Sequence, residues 1–396
     1  MISWVCIGIV WFWVQGANGS PDRAFDVSAE SRAPERTVAP VTTHSNLTRL
    51  ADSVLEIWPS PETWAWSWGQ GVMSYGLLRA TAVTGDRKYA DHVQRFLDAH
   101  IDSSGRLSEW PLFPDRVAPS IATFGMLRLT GDPRYAEVCD FLAEWLMNEA
   151  PRSRDGGWFH LPLLDAQWVD TLFMTTVFLA AYGDYVGRED YTHEALRQHE
   201  LLAGNLYSVE DQLYWHAWDQ DGLLSPWATP WRHHSTAFWA RGNGWAVSSL
   251  ARVLSRSDPA WVEYAPARER LEATLGRLWG LQDVQSGHWW TVLDEPGRPF
   301  NYTETTATAL IVEASIRAAR FDLTLEPDRA GVRAGLAAIQ ERLVEDGQGR
   351  TRVVGASIGT NPSGYWGYAL IPTWPDRMWG IGAVLMLLSE LSEVSG

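Results

Sequence analysis

Four short stretches carry side chains able to move protons or hold a charged ligand. Gln167-Trp168-Val169-Asp170-Thr171-Leu172-Phe173-Met174 sets one carboxyl, Asp170, at the opening of a strongly apolar run. A carboxyl there can cap a helix, because the first turn leaves backbone N–H groups unpaired. It can also serve as an acid or base where its surroundings shift its pKa. Pro114-Asp115-Arg116-Val117-Ala118 places Asp115 in the same position before a second run, next to a base with which it could simply pair. Leu213-Tyr214-Trp215-His216-Ala217-Trp218-Asp219 offers His216 as a ligand contact or as an ordinary half-buried histidine. Phe238-Trp239-Ala240-Arg241-Gly242-Asn243-Gly244-Trp245 combines a cation with two glycines at a helix start. Glycine is unfavourable there, so it marks the close approach of a ligand or of a neighbouring helix. Spacing alone leaves both aspartates best explained as caps and leaves the glycines open.

The elements around these stretches are helical. About twelve apolar periodic segments recur: 47–57, 67–84, 86–100, 116–130, 133–149, 170–187, 190–204, 243–257, 261–280, 303–320, 326–344 and 376–394. Strand-like pieces are few, such as Gln212–Trp215 and His288–Val292. A repeat is visible: Gly85-Asp86-Arg87-Lys88-Tyr89-Ala90, then Gly131-Asp132-Pro133-Arg134-Tyr135-Ala136, then a weaker Gly187-Arg188-Glu189-Asp190-Tyr191-Thr192. Each copy reads as a helix, a glycine in the left-handed turn, and an aspartate capping the next helix. Such hairpins cannot bury their apolar faces alone and must stack on neighbours. The first helix of a pair, as in Trp68 to Gly76, is rich in small and aromatic residues; the second, as in Arg87 to His100, is amphipathic and charged. The first type is expected inside and the second outside. Six pairs closing on themselves give an all-α (α/α)6 barrel over residues 47–396, with an open solenoid of the same hairpins as the alternative.

Composition narrows the function. The chain has 396 residues and a net charge of −16, which disfavours nucleic-acid and anionic-membrane partners. Two cysteines, Cys6 and Cys139, allow neither a disulfide framework nor a cysteine zinc site. No phosphate-binding glycine loop, nucleophile elbow or zinc helix is present, and the adjacent His233 and His234 make a poor metal pair. No metal or organic cofactor is expected. The 24 tryptophans suit sugar stacking as well as core filling. Trp4 to Val14 has the length of a signal-peptide apolar region, and Ala17-Asn18-Gly19 a small-residue cleavage site. Residues 1–19 are therefore expected to be a removable leader to a secreted or periplasmic protein, and 20–46 a flexible segment.

Four strings together resemble the unsaturated glucuronyl and rhamnogalacturonyl hydrolases, glycoside hydrolase families 88 and 105. They are Trp66-Ser67-Trp68-Gly69-Gln70-Gly71, Trp168 to Met174, His216-Ala217-Trp218-Asp219 and Trp239 to Trp245. Tyr302-Thr303-Glu304-Thr305-Thr306-Ala307 and Trp379-Gly380-Ile381-Gly382-Ala383 agree, and Arg241-Gly242-Asn243-Gly244-Trp245 leans toward family 105. The resemblance implies a six-hairpin α/α barrel, with Asp170 as catalytic acid/base and Asp115 as a second essential aspartate. It places Trp168, His216, Trp239, Arg241 and Trp245 around the site. Trp68 stands where the family carries a tyrosine, and His160 where related enzymes carry a residue that tunes the leaving sugar.

Enzymes of these families act on oligosaccharides ending in a uronate with a C4=C5 double bond. The expected partner is such an oligosaccharide, of rhamnogalacturonan or ulvan type with rhamnose leaving, and the expected state is a monomer. Asp170 would need its proton near neutral pH, and Trp168 and Asp115 are expected to raise its pKa. Arg241, Arg232 and His216 are the candidates to hold the uronate, with Trp64, Trp66, Trp227 and Trp231 as stacking or packing faces. A conventional inverting glycosidase using Asp115 and Asp170, or a non-catalytic sugar-binding toroid, are the alternatives.

Overall fold

The computed structural model describes residues 43–223, 225–324 and 329–395. The expected leader, 1–19, and residues 20–42 of the expected flexible segment lie outside the described residues. Residues 43–46, expected to be flexible, are instead the first turn of a helix, because Leu47, Leu50, Ala51 and Val54 bury one continuous face.

Among the described residues twelve long helices follow in order: α1 (Thr43–Ile57), α2 (Trp68–Thr84), α3 (Arg87–Asp98), α4 (Ser120–Thr130), α5 (Pro133–Asn148), α6 (Val177–Val186), α7 (Glu189–Leu206), α8 (Ala240–Leu254), α9 (Tyr264–Gly280), α10 (Thr305–Arg320), α11 (Arg329–Glu341) and α12 (Met378–Ser395). The even-numbered helices pack side by side in sequence, and α12 returns to pack on α2, so the inner ring closes. The odd-numbered helices cover it, with α1 lying against α12 and so joining the chain's two ends. This is the (α/α)6 barrel, and the open solenoid is excluded. Inner helices are buried nearly all round: every residue of α8 is buried, as is Thr305–Ala318 of α10. Small residues allow that closeness. A Cβ on Gly71 would meet the backbone of Ala118 and Pro119 at 2.7–2.9 Å, and one on Gly382 would meet the Val72 carbonyl at 2.5 Å.

The repeat is a clasp between hairpins. Gly85, Gly131 and Gly187 take positive φ of 74°, 68° and 72°, as the turn requires. Asp86 and Asp132 accept from the backbone N–H of Lys88 and Arg134 at 3.1 and 2.9 Å. The repeated tyrosine then reaches back to the preceding outer helix: Tyr89 to Asp52 at 2.8 Å, Tyr135 to Asp98 at 2.9 Å, and Tyr191 to Glu144. Each tyrosine buries its ring while its hydroxyl finds a carboxylate.

Strands serve only as two-stranded antiparallel ribbons in the loops: β1 (Ala166–Trp168) with β4 (Ala217–Asp219), β2 (Tyr207–Ser208) with β3 (Leu213–Tyr214), β5 (Leu343–Glu345) with β6 (Thr351–Val353), and β7 (Ala356–Ser357) with β8 (Thr373–Trp374). The expected strand at His288–Val292 makes only isolated bridges, Trp290 to Thr303 and Val292 to Trp239.

Candidate active site

All six inner helices begin at the same end of the ring, and several of the singled-out residues sit at those beginnings. Trp68 opens α2. Asp115 lies on the one-turn helix Pro114–Val117 just before α4, and Arg241 is the second residue of α8. Glu304 caps α10, accepting from the Ala307 N–H at 2.6 Å, and Trp379 is the second residue of α12. Helix N-termini carry partial positive charge and unpaired N–H groups, so this end favours an anion.

The β1–β4 ribbon brings Asp170 and His216 together. Trp168 pairs with Ala217, and the Val169 N–H donates to the His216 carbonyl at 2.9 Å. Two residues after Asp170 the chain enters a π-helical turn, Leu172–Thr176, a distortion that recurs at functional sites. Asp170 makes no side-chain cap on that turn. Its Oδ2 faces His216 Nε2 at 3.2 Å, in an oblique approach that falls short of an aligned hydrogen bond. His216 Nδ1 meets the Tyr368 hydroxyl at 3.0 Å, and that hydroxyl accepts from the Ser363 N–H at 2.9 Å. The Asp170 carboxylate facing Nε2 favours the tautomer with its proton there, and the Tyr368 hydroxyl then donates to Nδ1.

Burial pulls His216 below its ordinary value against the attraction of Asp170, so near pH 7 it is a neutral N–H donor. Burial also pulls His160 down to about 4. His160 lies 3.6 Å from Asp115 Oδ1, too long for a hydrogen bond, and its Nδ1 meets the Thr171 hydroxyl at 3.1 Å. The two carboxyls divide in a way opposite to the expectation. Burial, then the charge of Asp170, pushes Asp115 up to about 8 against the pull of Arg116. Burial works to raise Asp170 too, but His216, with smaller help from His160 and Arg241, outweighs it and holds Asp170 below the usual carboxylate value. The expected raised pKa thus belongs to Asp115, because the ribbon gives Asp170 a donor and Asp115 has none as close.

The walls are aromatic. His160 stacks on Trp168 at 4.5 Å, Trp168 meets His216 edge-on at 5.3 Å, and His216 stacks on Trp239 at 4.2 Å. Trp68 stacks on Trp379 at 4.4 Å. The Arg241 guanidinium lies over Trp239 at 4.5 Å and Trp379 at 5.7 Å, joining these walls. It is also heavily engaged. Nη1 donates to Glu304 at 3.3 Å and to the Ser357 hydroxyl at 2.7 Å; Nη2 donates to the Ile358 carbonyl at 3.1 Å and the Thr360 hydroxyl at 2.9 Å. Only Nε lacks a partner.

Trp245 stands apart from this cluster: it is fully buried one turn further along α8, packed on Phe173 at 4.6 Å. The two glycines before it are explained by packing, since a Cβ would meet Val169 at 2.7 Å or Leu310 at 3.0 Å. The loop tryptophans divide. Trp64 and Trp66 are core, Trp227 packs beside Trp168, and Trp231 is 91% exposed, as Arg232 beside it is exposed. Sequence reasoning missed Tyr368, Ser357 and Thr360, which come from a loop more than 110 residues beyond their partners and carry no local signal. Among the described residues no group of three His, Cys, Asp or Glu side chains could hold a metal ion.

A closed (α/α)6 ring with a carboxyl pair and tryptophan walls at its helix N-termini suits a carbohydrate-active enzyme. The comparisons agree. The family model described as Glycosyl Hydrolase Family 88 matches residues 43–394, and the chain belongs to that family. It is 28% identical over 333 residues to the Unsaturated rhamnogalacturonyl hydrolase YesR of Bacillus subtilis, covering 83% of this chain and 90% of that one. A family 105 glycoside hydrolase structure from C. acetobutylicum superposes with a TM-score of 0.82 at 22% identity, covering 88% of this chain and 99% of the other. A structure of a possible family 105 member from Klebsiella pneumoniae gives 0.76 at 25% identity, covering 95% and 100%.

Proposed function

We propose that this enzyme removes a terminal Δ4,5-unsaturated uronic acid from lyase-generated oligosaccharides, of rhamnogalacturonan or ulvan type with rhamnose leaving, by hydrating the enol ether. The observation that carries the reading is the carboxyl pair: Asp115 is pushed up to about 8 while Asp170 is held down, so the pair keeps one proton at neutral pH. The activity named for the B. subtilis relative supports the substrate class.

Asp170 is assigned as the general acid/base. The arriving uronate carboxylate adds negative charge beside the pair and raises the proton affinity of Asp170, which takes over the proton that Asp115 holds in the free enzyme. Asp170 then protonates C4, and positive charge forms at C5, shared with the ring oxygen. Water adds at C5 and gives its proton to the Asp170 carboxylate, restoring the acid. The hemiketal opens and expels the neighbouring sugar. Helix N-termini and the Arg241 Nε suit the substrate carboxylate, and Trp168, Trp239 and Trp68 suit the ring faces.

The order of the two pKa values favours a second reading, in which Asp115 gives the proton and Asp170 only activates water. The measurement that tests the function is loss of the ultraviolet band of the C4=C5 uronate on lyase-generated rhamnogalacturonan, ulvan and chondroitin fragments. Loss with one panel member supports the proposal. New reducing ends from intact polysaccharide without loss of the band would replace it with a conventional hydrolase. Asp115→Asn separates the two readings: residual turnover above that of Asp170→Asn favours Asp170 as the acid, and equal loss favours Asp115.

A further inference from the structure

On α8, Arg252 lies eleven residues beyond Arg241, roughly 16 Å along the helix axis and away from the carboxyl pair. A cavity of about 170 Å³ opens there, with Ile121, Val177 and Ala181 forming an apolar wall. Five guanidinium groups line it: Arg79, Arg252, Arg256, Arg317 and Arg320. Only three carboxylates answer them. Glu313 meets Arg252 at 2.8 Å and Arg317 at 3.3 Å. Glu390 meets Arg79 and Arg320, each at 3.1 Å, and also Arg317. Glu393 meets Arg79 at 2.7 Å and also Arg320.

Arg256 has no carboxylate within ion-pairing distance among the described residues. Its Nη1 donates to the Arg252 carbonyl at 3.0 Å, and the exposed Asp184 attracts it only through space. The Nε of Arg252, on a side chain 3% exposed, has no hydrogen-bond partner. The carbonyl ends of α8 and α10 offset part of this positive charge. The surplus still reaches Tyr75: burial works to raise its phenol, yet Arg252, Arg79 and Arg317 bring it below its ordinary value. Such a surplus inside a chain of net charge −16 has no matching carboxylate among the described residues.

We infer that this cavity binds one small divalent oxyanion, of the sulfate or phosphate kind, through Arg256 and the free N–H groups of its neighbours. Guanidinium forks match the oxygens of a tetrahedral anion, and two negative charges match five cations facing three carboxylates. The cavity is too small for an oligosaccharide, so it is not a second sugar site. The bound anion would draw α2, α8 and α10 together at the end of the ring opposite the carboxyl pair.

The test is calorimetric titration of sulfate and of inorganic phosphate into the protein, with sodium chloride at matched ionic strength, alongside thermal melts. High sulfate stabilises any fold by exclusion, so the anion is kept below about 20 mM. Expected is one saturable site and a rise in Tm of roughly 2–4 °C, absent with chloride and lost in Arg256→Met. No saturable heat in the wild type, an equal rise with chloride, or an unchanged rise in Arg256→Met would each overturn the inference. Should Arg256→Met fail to fold, the wild-type titration alone decides.

Discussion

Tyr368→Phe removes a single oxygen, and the structure says where the effect goes. The hydroxyl donates to His216 Nδ1 and accepts from the Ser363 N–H, and it lies on a buried ring. Without it, Nδ1 loses its donor and only the Asp170 carboxylate still favours the proton on Nε2, so the donor facing Asp170 is lost in part of the molecules. A hydrogen bond to a charged group is worth about 1.5–3 kcal/mol, and one pKa unit is about 1.4 kcal/mol. The His216–Asp170 contact is oblique, so the lower end applies and the Asp170 pKa should rise by about one unit. The sign follows from the group: Asp170 is held below its ordinary value, so losing a donor moves it up. The assay is the pH dependence of kcat/KM on the unsaturated substrate, followed by loss of the ultraviolet band. Its acid limb, where the pair takes up a second proton, should move to higher pH by about one unit, while the alkaline limb stays. A stability loss of roughly 1–3 kcal/mol from the orphaned Ser363 N–H is expected as well, and melting checks it. An acid limb unmoved in a folded Tyr368→Phe protein would refute the relay from Tyr368 through His216 to Asp170 and reduce Tyr368 to a packing residue.

Four further outcomes are expected. Activity should fall above about pH 8, where the pair loses its one proton, and in Asp115→Asn that alkaline limb should move to lower pH, because only Asp170, held below its ordinary value, is left to carry the proton; the same substrate measures both. Asp170→Asn should abolish turnover while binding, followed by tryptophan quenching, and the melting temperature survive; retained turnover would remove the acid/base assignment. Arg241→Met should strand Glu304 as a fully buried charge and cost about 3–5 kcal/mol in denaturant unfolding. Gly382→Ala should force α12 off α2, since its Cβ would come within 2.5 Å of the Val72 carbonyl, at about 1–3 kcal/mol by the same measurement.

The amino-acid sequence by itself determined the helices, their pairing and their inner or outer character. These follow from local rules: an apolar stripe against an apolar helix, a glycine where φ must be positive, an aspartate one residue later. Asp86 and Asp132 cap as their positions require, and the repeated tyrosine marks the hairpin clasp. The approximate site was legible too, because Asp170, Asp115 and Arg241 stand at helix beginnings, and a closed ring must bring those beginnings to one end. Tertiary structure alone decided what each of them is. Asp170 and Asp115 look alike in sequence, yet the β1–β4 ribbon places a histidine donor on one and leaves the other to burial, which sends their pKa values in opposite directions. Arg241 reads as a free cation until Glu304, Ser357 and Thr360 take its N–H groups. Trp245 reads as a wall of the site until α8 turns it into the core. Tyr368 is the extreme case: its partner is 152 residues away, so no local pattern could mark it. Sequence periodicity encodes which face of an element is buried, whereas the charge state of a buried group depends on everything around it in space.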